Sequence, residues 1–262
     1  SEGHNTLASG SFSHAEGYAT LATDNSAHAE GYSTDAAANY SHSEGSNTTA
    51  SGVSAHAEGD YSEANATGSH AEGLRSITEG NYSHARGART LTKGVASSAT
   101  GYGSFSYGDQ SFTGGQRNIA GGFYKVDTDG TQEVVINGEH DGDFTTGTTD
   151  VAVLSGDYLT RDTVTISSVS YDSGNDETTV QYSDTDKTIY AIQANNLTSS
   201  VDYQIAFGDQ SIAFGDMSFA LGLNALAYGK YSLSIGPNTR AEGYASSSTG
   251  SGTHALGSMS HA

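Results

Sequence analysis

Six histidines recur at fourteen-residue spacing, at His14, His28, His42, His56, His70 and His84. Five of them are followed two positions later by a glutamate: Glu16, Glu30, Glu44, Glu58 and Glu72. The sixth is followed by Arg86. Imidazole and carboxylate in alternation are the residue types of transition-metal ligation and of acid–base catalysis. The spacing limits both. Residues two apart on a strand sit roughly 6–7 Å apart, too far for one strand to chelate an ion, so a metal site would have to draw on neighbouring coils or chains. Six near-identical pairs are also a building unit, whereas acid–base work needs one pocket in which two pKa values are pushed apart. The favoured reading is a structural column at a chain–chain interface, with His of one chain set against Glu of the next. No catalytic residue, metal site or cofactor is assigned. Pairing by Glu predicts imidazoles held charged, so that Gln in place of Glu44 and Glu58 weakens the assembly near pH 6, while Arg86 leaves His84 without a carboxylate of its own.

The elements that carry this column are set by glycine. From Gly3 every seventh position up to Gly122 is Gly in fifteen of eighteen cases, the exceptions being Asp24, Ala38 and Ala66, and a second series runs from Gly208 to Gly257 without exception. Each heptad reads small-x-small-x-Gly and then two free residues, which is period-2 alternation followed by a turn. Two five-residue strands and two turns make one fourteen-residue coil, and coils can stack about 4.8 Å apart as parallel ladders. This predicts an all-β solenoid, a narrow two-sheet roll on the order of 40 Å long over residues 1–122. Ser13, Ala15, Thr20 and Ala22 take the inward phase, too tight for leucine, and the x positions point outward. The Thr/Ser column of alternate heptads is therefore inward and no ice-binding face.

In the second series the x positions include Ile212, Phe214, Phe219, Leu221, Leu226, Leu233 and Ile235. An outward apolar column of that size needs a partner, and the sequence predicts a homo-oligomer of closed symmetry with these residues and the His/Glu column at the interface. Between the series, residues 123–204 lack the heptad and read as an inserted acidic β domain, with strands expected at 132–136, 150–154, 162–171, 177–182 and 188–193 and a hairpin turn at Asp172-Ser173-Gly174-Asn175-Asp176. The domains are then 1–122 and 205–262 for the roll and 123–204 for the insertion, whose surface is the candidate receptor-binding site. The acidic stretches at 127–130 and 139–143 fit no hard-cation loop and read as solvated turns. Tyr18, Tyr32, Tyr102 and Tyr244 follow turn glycines and could form a stacking rim for glycans.

Composition excludes several classes. Pro occurs once and Gly lacks a triplet period, so the chain is no collagen. There is no Cys, hence no disulfide framework or thiolate chemistry. A formal charge of −20 opposes nucleic acid and anionic membranes, and no apolar run approaches a bilayer span. Neutral glycans, basic protein surfaces and cations remain as partners.

The pattern Ser211-Ile212-Ala213-Phe214-Gly215 and Asp216-Met217-Ser218-Phe219-Ala220-Leu221-Gly222 resembles the head repeats of YadA-like trimeric autotransporter adhesins. The Ser-His-Ala-Glu-Gly variants resemble repeats in tail proteins of phages of Gram-positive bacteria. The resemblance covers residues 1–122 and 205–262 and implies a left-handed parallel β-roll, three chains about one axis, and an adhesive or spacer role. Without a stalk or an anchor barrel in this stretch, the expectation is a non-enzymatic virion tail fibre segment that contacts a host-cell surface glycan or protein. A bacterial adhesin head is the alternative, and a tailspike-like glycan hydrolase a lesser one.

Overall fold

Alternation of small and large residues with glycine at every seventh place yields two parallel ladders that run the length of the roll in the computed structural model. The structure describes residues 1–125, 128–130, 133–137, 144, 146, 151–155, 160–175, 177–183, 189–193 and 202–262. Two compact units are present, one made of Ser1–Gly121 with Asp202–Ala262 and one of Gly122–Val201.

The roll contains two thirteen-stranded sheets, every neighbour pair parallel. One is built from the long strands that carry the histidines, such as His42–Ser46 and His56–Asp60, and the other from two-residue strands such as Thr49–Ala50 and Glu63–Ala64. The two heptads of a coil therefore differ, where the sequence suggested two equal five-residue strands. Register is one residue over its equivalent fourteen later: His42 pairs with His56, Glu44 with Glu58 and Gly45 with Gly59.

The inner layer is as narrow as the small residues imply. Ala15, Ala22, Ala29, Ala36, Ala50, Ala57 and Ala64 are fully buried, as are Thr20, Thr48 and Ser62. Some buried hydroxyls bond one another, Ser43 with Thr48 at 2.8 Å and Thr78 with Ser69 at 2.8 Å, while those of Thr20 and Thr34 have no such partner. Where a serine precedes the histidine it also closes the turn: Ser41 Oγ donates to the Ala38 carbonyl at 2.7 Å and Ser83 Oγ to that of Gly80 at 2.6 Å. Without such partners these polar groups would each cost about 1–3 kcal/mol in a dry layer.

Two kinds of glycine hold the coils together. Those from Gly3 to Gly115 and from Gly208 to Gly250 at fourteen-residue spacing have φ between 103° and 146°, a region closed to side chains, and a Cβ on nearly all of them would run into the carbonyl of the next coil. Those of the intervening heptads, such as Gly52 and Gly80, have ordinary φ and are excluded from bearing a Cβ by the next coil alone. All three sequence exceptions, Asp24, Ala38 and Ala66, fall in this second, less constrained kind. The tight corners beside them are left-handed yet carry ordinary residues, for example Tyr40 at φ 62°, Asn47 at 54° and Arg75 at 55°.

The first ladder crosses the insertion without a break. Phe112–Gln116 pairs directly with Ile205–Asp209, Gly115 opposite Gly208. Roll hydrogen bonding resumes slightly before Ile205, since Tyr203 N donates to the Asp109 carbonyl at 2.9 Å and Phe112 N to that of Gln204 at 2.8 Å.

The unit of residues 122–201 is a seven-stranded antiparallel sheet in the order Phe123–Lys125, Ile189–Gln193, Val151–Ser155, Thr160–Asp172, Glu177–Ser183, Glu133–Asn137, Thr128–Gly130. Five of these strands lie within two residues of the expected ranges; the short first and last of that order were not foreseen. Val134, Ile136, Ile166 and Val180 form its buried side. The expected hairpin is present, with Asp172 Oδ1 accepting from Gly174 N at 2.8 Å. No helix among the described residues is long and apolar enough to cross a membrane.

Candidate functional site

In each long strand the small residue after histidine points inward, so His and Glu on either side of it share the outer face. In-register stacking then turns the six histidines into one column. Ring centroids from His14 to His84 are 5.0, 4.7, 4.6, 4.7 and 4.8 Å apart, with planes nearly parallel from His28 onward. The glutamates form a second column beside it. Side chains lean far enough to meet despite the strand spacing: His14 Nε2 is 3.5 Å from Glu16 and His28 Nε2 3.7 Å from Glu30. Further along, the carboxylate comes from the preceding coil as well, with Glu44 Oε1 3.5 Å from His56 Nε2 and Glu58 Oε1 3.7 Å from His70 Nε2. Arg86 pairs with Glu72 of the preceding coil.

At three of the six positions the balance runs against charged imidazoles, contrary to the expectation from Glu pairing. His42, His56 and His84 are held below the ordinary imidazole value, first by partial burial and then by the neighbouring imidazole in the stack; the nearby carboxylates push the other way and lose. A column of rings under 5 Å apart cannot carry a proton on each member. The carboxylates solve the same problem by sharing protons. Glu44 is pushed up to about 7 by hydrogen bonding to Glu30 and then Glu58, and both of these are correspondingly lowered by their hydrogen bond to Glu44.

One more property of the column was not legible in the sequence. The Nε2 atoms of His28, His42, His56, His70 and His84 are shielded from solvent and have no hydrogen-bond partner, the carboxylates standing too far or too poorly aligned. Three groups on neighbouring coils have ligand atoms within 4.8 Å of one another, namely Glu30, His42 and Glu44; His56, Glu58 and His70; and His70, Glu72 and His84. An open groove of about 400 Å³ runs alongside, lined by Glu16, Glu30, Glu44 and Glu58 with Gly31, Gly45 and Gly59.

The expected apolar interface divides in two. On the long-strand face Phe207, Phe219 and Ile235 are exposed and Leu221 and Leu233 half-buried, in line with the His/Glu column. On the short-strand side Ile212, Phe214 and Leu226 are already buried in a single chain, so the outward face predicted for them is not there. Phe214 instead meets Tyr228 edge-on at 6.1 Å.

The tyrosine rim is partly assembled. His4, Tyr18 and Tyr32 stack with centroids 5.0 and 5.2 Å apart, Tyr102 is half-buried, and Tyr244 meets Tyr231 edge-on at 5.5 Å. In the Tyr18–Tyr32 stack the facing ring surfaces are occupied by each other, which leaves mainly edges for a sugar. The acidic stretch at 139–143 and Asp127 lie outside the described residues.

A residue that sequence reading passed over sits at the seam of the insertion. Asn118 occupies the column filled elsewhere by Ser and Thr, save at Ala225; it is fully buried, and its Nδ2 donates to the carbonyls of Gly114 at 2.8 Å and Gly208 at 2.9 Å while its Oδ1 accepts from Ser211 N at 2.9 Å. The bond to Gly208 is the one made elsewhere by a hydroxyl, as from Ser62 to Gly73 at 3.1 Å. Its departure from the Ser/Thr pattern was the available signal.

Among known families, the YadA head domain repeat matches residues 43–62, 205–225 and 227–253. A comparison with curated proteins gives no match.

Proposed function

We propose that this chain, whose coils are YadA-type head repeats, is a non-enzymatic segment of a homotrimeric adhesive fibre. The observation that carries this is the long-strand face, where Phe112, Phe207, Phe219 and Ile235 stay exposed in one ladder continuous with the His/Glu column. A stripe of that kind on a rod is not a finished surface, and rotation of identical rods about a common axis covers it without leaving an open end for aggregation. The rod is then a stiff spacer, and the insertion is the module that contacts a host-surface glycan or protein. The head-repeat match supports display on a bacterial surface; the Ser-His-Ala-Glu-Gly repeats support the second reading, a phage tail fibre. Both predict the same assembly. Sedimentation equilibrium at micromolar concentration should return three chains, and a monomer there overturns the proposal. Cell-binding by the intact chain, lost on removal of the insertion, tests its adhesive half.

A further inference from the structure

We infer that His56, Glu58 and His70, with Glu44 beside His56, form a binding site for a divalent transition-metal ion, with Zn²⁺ as the representative. This goes beyond the fibre reading and does not depend on it, because every ligand comes from one chain.

The sequence alone opposed such a site on the ground that one strand cannot chelate. Stacking removes that objection by supplying His56 and Glu58 from one coil, His70 from the next and Glu44 from the one before. A tetrahedral Zn²⁺ site with bonds of about 2.0–2.1 Å to nitrogen and oxygen has ligand atoms roughly 3.3 Å apart. The structure places Glu44 Oε1 3.5 Å from His56 Nε2 and Glu58 Oε1 3.7 Å from His70 Nε2. The ligand atoms of His56, Glu58 and His70 all lie within 4.8 Å of one another, so a small side-chain rotation closes the set.

A second, independent observation points to a ligand. The Nε2 atoms of His56 and His70 are out of solvent and unbonded, which for a nitrogen lone pair costs free energy until something binds it. An ion between the columns gives both a partner. It also separates the carboxylates that stack in register, Glu44 over Glu58. The groove beside the glutamates gives an ion a path in from solvent.

The ligand chemistry selects the metal class. Two imidazoles and carboxylates suit Zn²⁺, Ni²⁺ or Co²⁺, whereas Ca²⁺ and Mg²⁺ require six or more oxygens. Among the three clusters this one is favoured. The set at His70, Glu72 and His84 shares His70 and has its carboxylate engaged by Arg86, and that at Glu30, His42 and Glu44 has a single imidazole.

The test uses the full chain, stripped with chelator and titrated with ZnCl₂ by calorimetry, with Co²⁺ absorption to read coordination. The wild type should take up Zn²⁺ with an imidazole-bearing Co²⁺ spectrum, Ca²⁺ should not compete, and H56Q/H70Q should weaken the binding at least about tenfold, while E16Q, in the groove but outside the three clusters, leaves it unchanged. E58Q serves as a second, milder variant should the double one fail to fold as judged by circular dichroism. No Zn²⁺ uptake by the wild type, or equal uptake by H56Q/H70Q and E58Q, overturns the site. Sedimentation of the same samples separates the two proposals: a monomer that binds Zn²⁺ removes the trimer alone, and a trimer that does not removes the metal site alone.

Discussion

Replacing Gly45 by Ala should damage the roll far more than the same change at Gly68, although both are glycines at positive φ in the middle of the rod. Gly45 has φ 105°, and a Cβ there would run into the carbonyl oxygen of Gly59 in the next coil. Backbone strain in that region costs of order 1–3 kcal/mol, and the obstructed atom is main chain fixed in a ladder, so relief has to break pairing worth about 1 kcal/mol per hydrogen bond. Together these give about 3–5 kcal/mol, a loss of roughly 6–20 °C in melting temperature for a chain of this size. Gly68 has φ 62°, and its Cβ would come 2.9 Å from the Tyr82 ring, an exposed side chain free to swing aside. The same corner carries Ser54 and Tyr82 in the neighbouring coils, so an L-residue is accommodated there. The left-handed cost of about 1–2 kcal/mol is partly offset by the smaller unfolded-state entropy of Ala, and G68A should melt within about 4 °C of wild type. Thermal unfolding followed by circular dichroism compares the two. If G45A and G68A melt together, coil contact at the first kind of glycine is not what sets the fourteen-residue period.

Deleting residues 123–201 joins Gly122 to Asp202 and leaves Gly115 and Gly208 fourteen positions apart, the native coil length, so the shortened chain should keep its cooperative melt and oligomeric state in sedimentation while losing cell binding. Asn118→Ala leaves the carbonyl of Gly208 and the amide of Ser211 without their partner in a dry layer and should cost about 2–4 kcal/mol, with Asn118→Ser, which restores the hydroxyl found in other coils, recovering part of it in the same denaturant titration. Glu44→Gln, measured in chelator, should raise stability at pH 8 relative to wild type and the gap should close towards pH 5.5, because a carboxyl pushed up to about 7 contributes stability that is lost as pH rises through that value; the groups that face it are Glu30, Glu58, His42 and His56. Below pH 6.5 both proteins should weaken as His42, His56 and His84, whose folded values lie below that of the unfolded chain, are forced to take up protons; a melting temperature that is flat from pH 8 to 5 would show the column to be fully solvated.

Period, inward phase and the existence of the insertion were legible because each is a constraint on size or spacing that acts at every coil. Ala15, Ala29 and Ala57 repeat because one sheet separation serves the whole rod, and a single alignment of the chain on itself reveals it. What stayed hidden depends on a balance between neighbours. The inequality of the two strands in a coil, five residues at His42–Ser46 against two at Thr49–Ala50, goes with the two kinds of glycine, positive φ at Gly45 and ordinary φ at Gly52, and the residue type alone does not distinguish them. The charge state of the histidines was misjudged for the same reason. One Glu per His suggested pairing, but His42 and His56 each have two imidazole neighbours at under 5 Å, and partial burial together with that repulsion outweighs the nearby carboxylates.

That balance also explains why a rod would keep so unfavourable a column. Stacking at the coil spacing fixes the rings nearly parallel and their Nε2 atoms in a row, with carboxylates alongside, so the geometry of the ladder presents ligands before any ion or partner chain arrives. Whatever binds there meets groups already ordered by the ladder, and little ordering entropy is left to lose on association. A surface histidine on a loop would bind the same ion only after losing that freedom. The column is therefore a feature that only a strictly periodic backbone can hold in place, and it ends where the residue types change: Arg86 takes the carboxylate of Glu72, and Ser98 in register with His84 leaves His70 as the ring neighbour of His84.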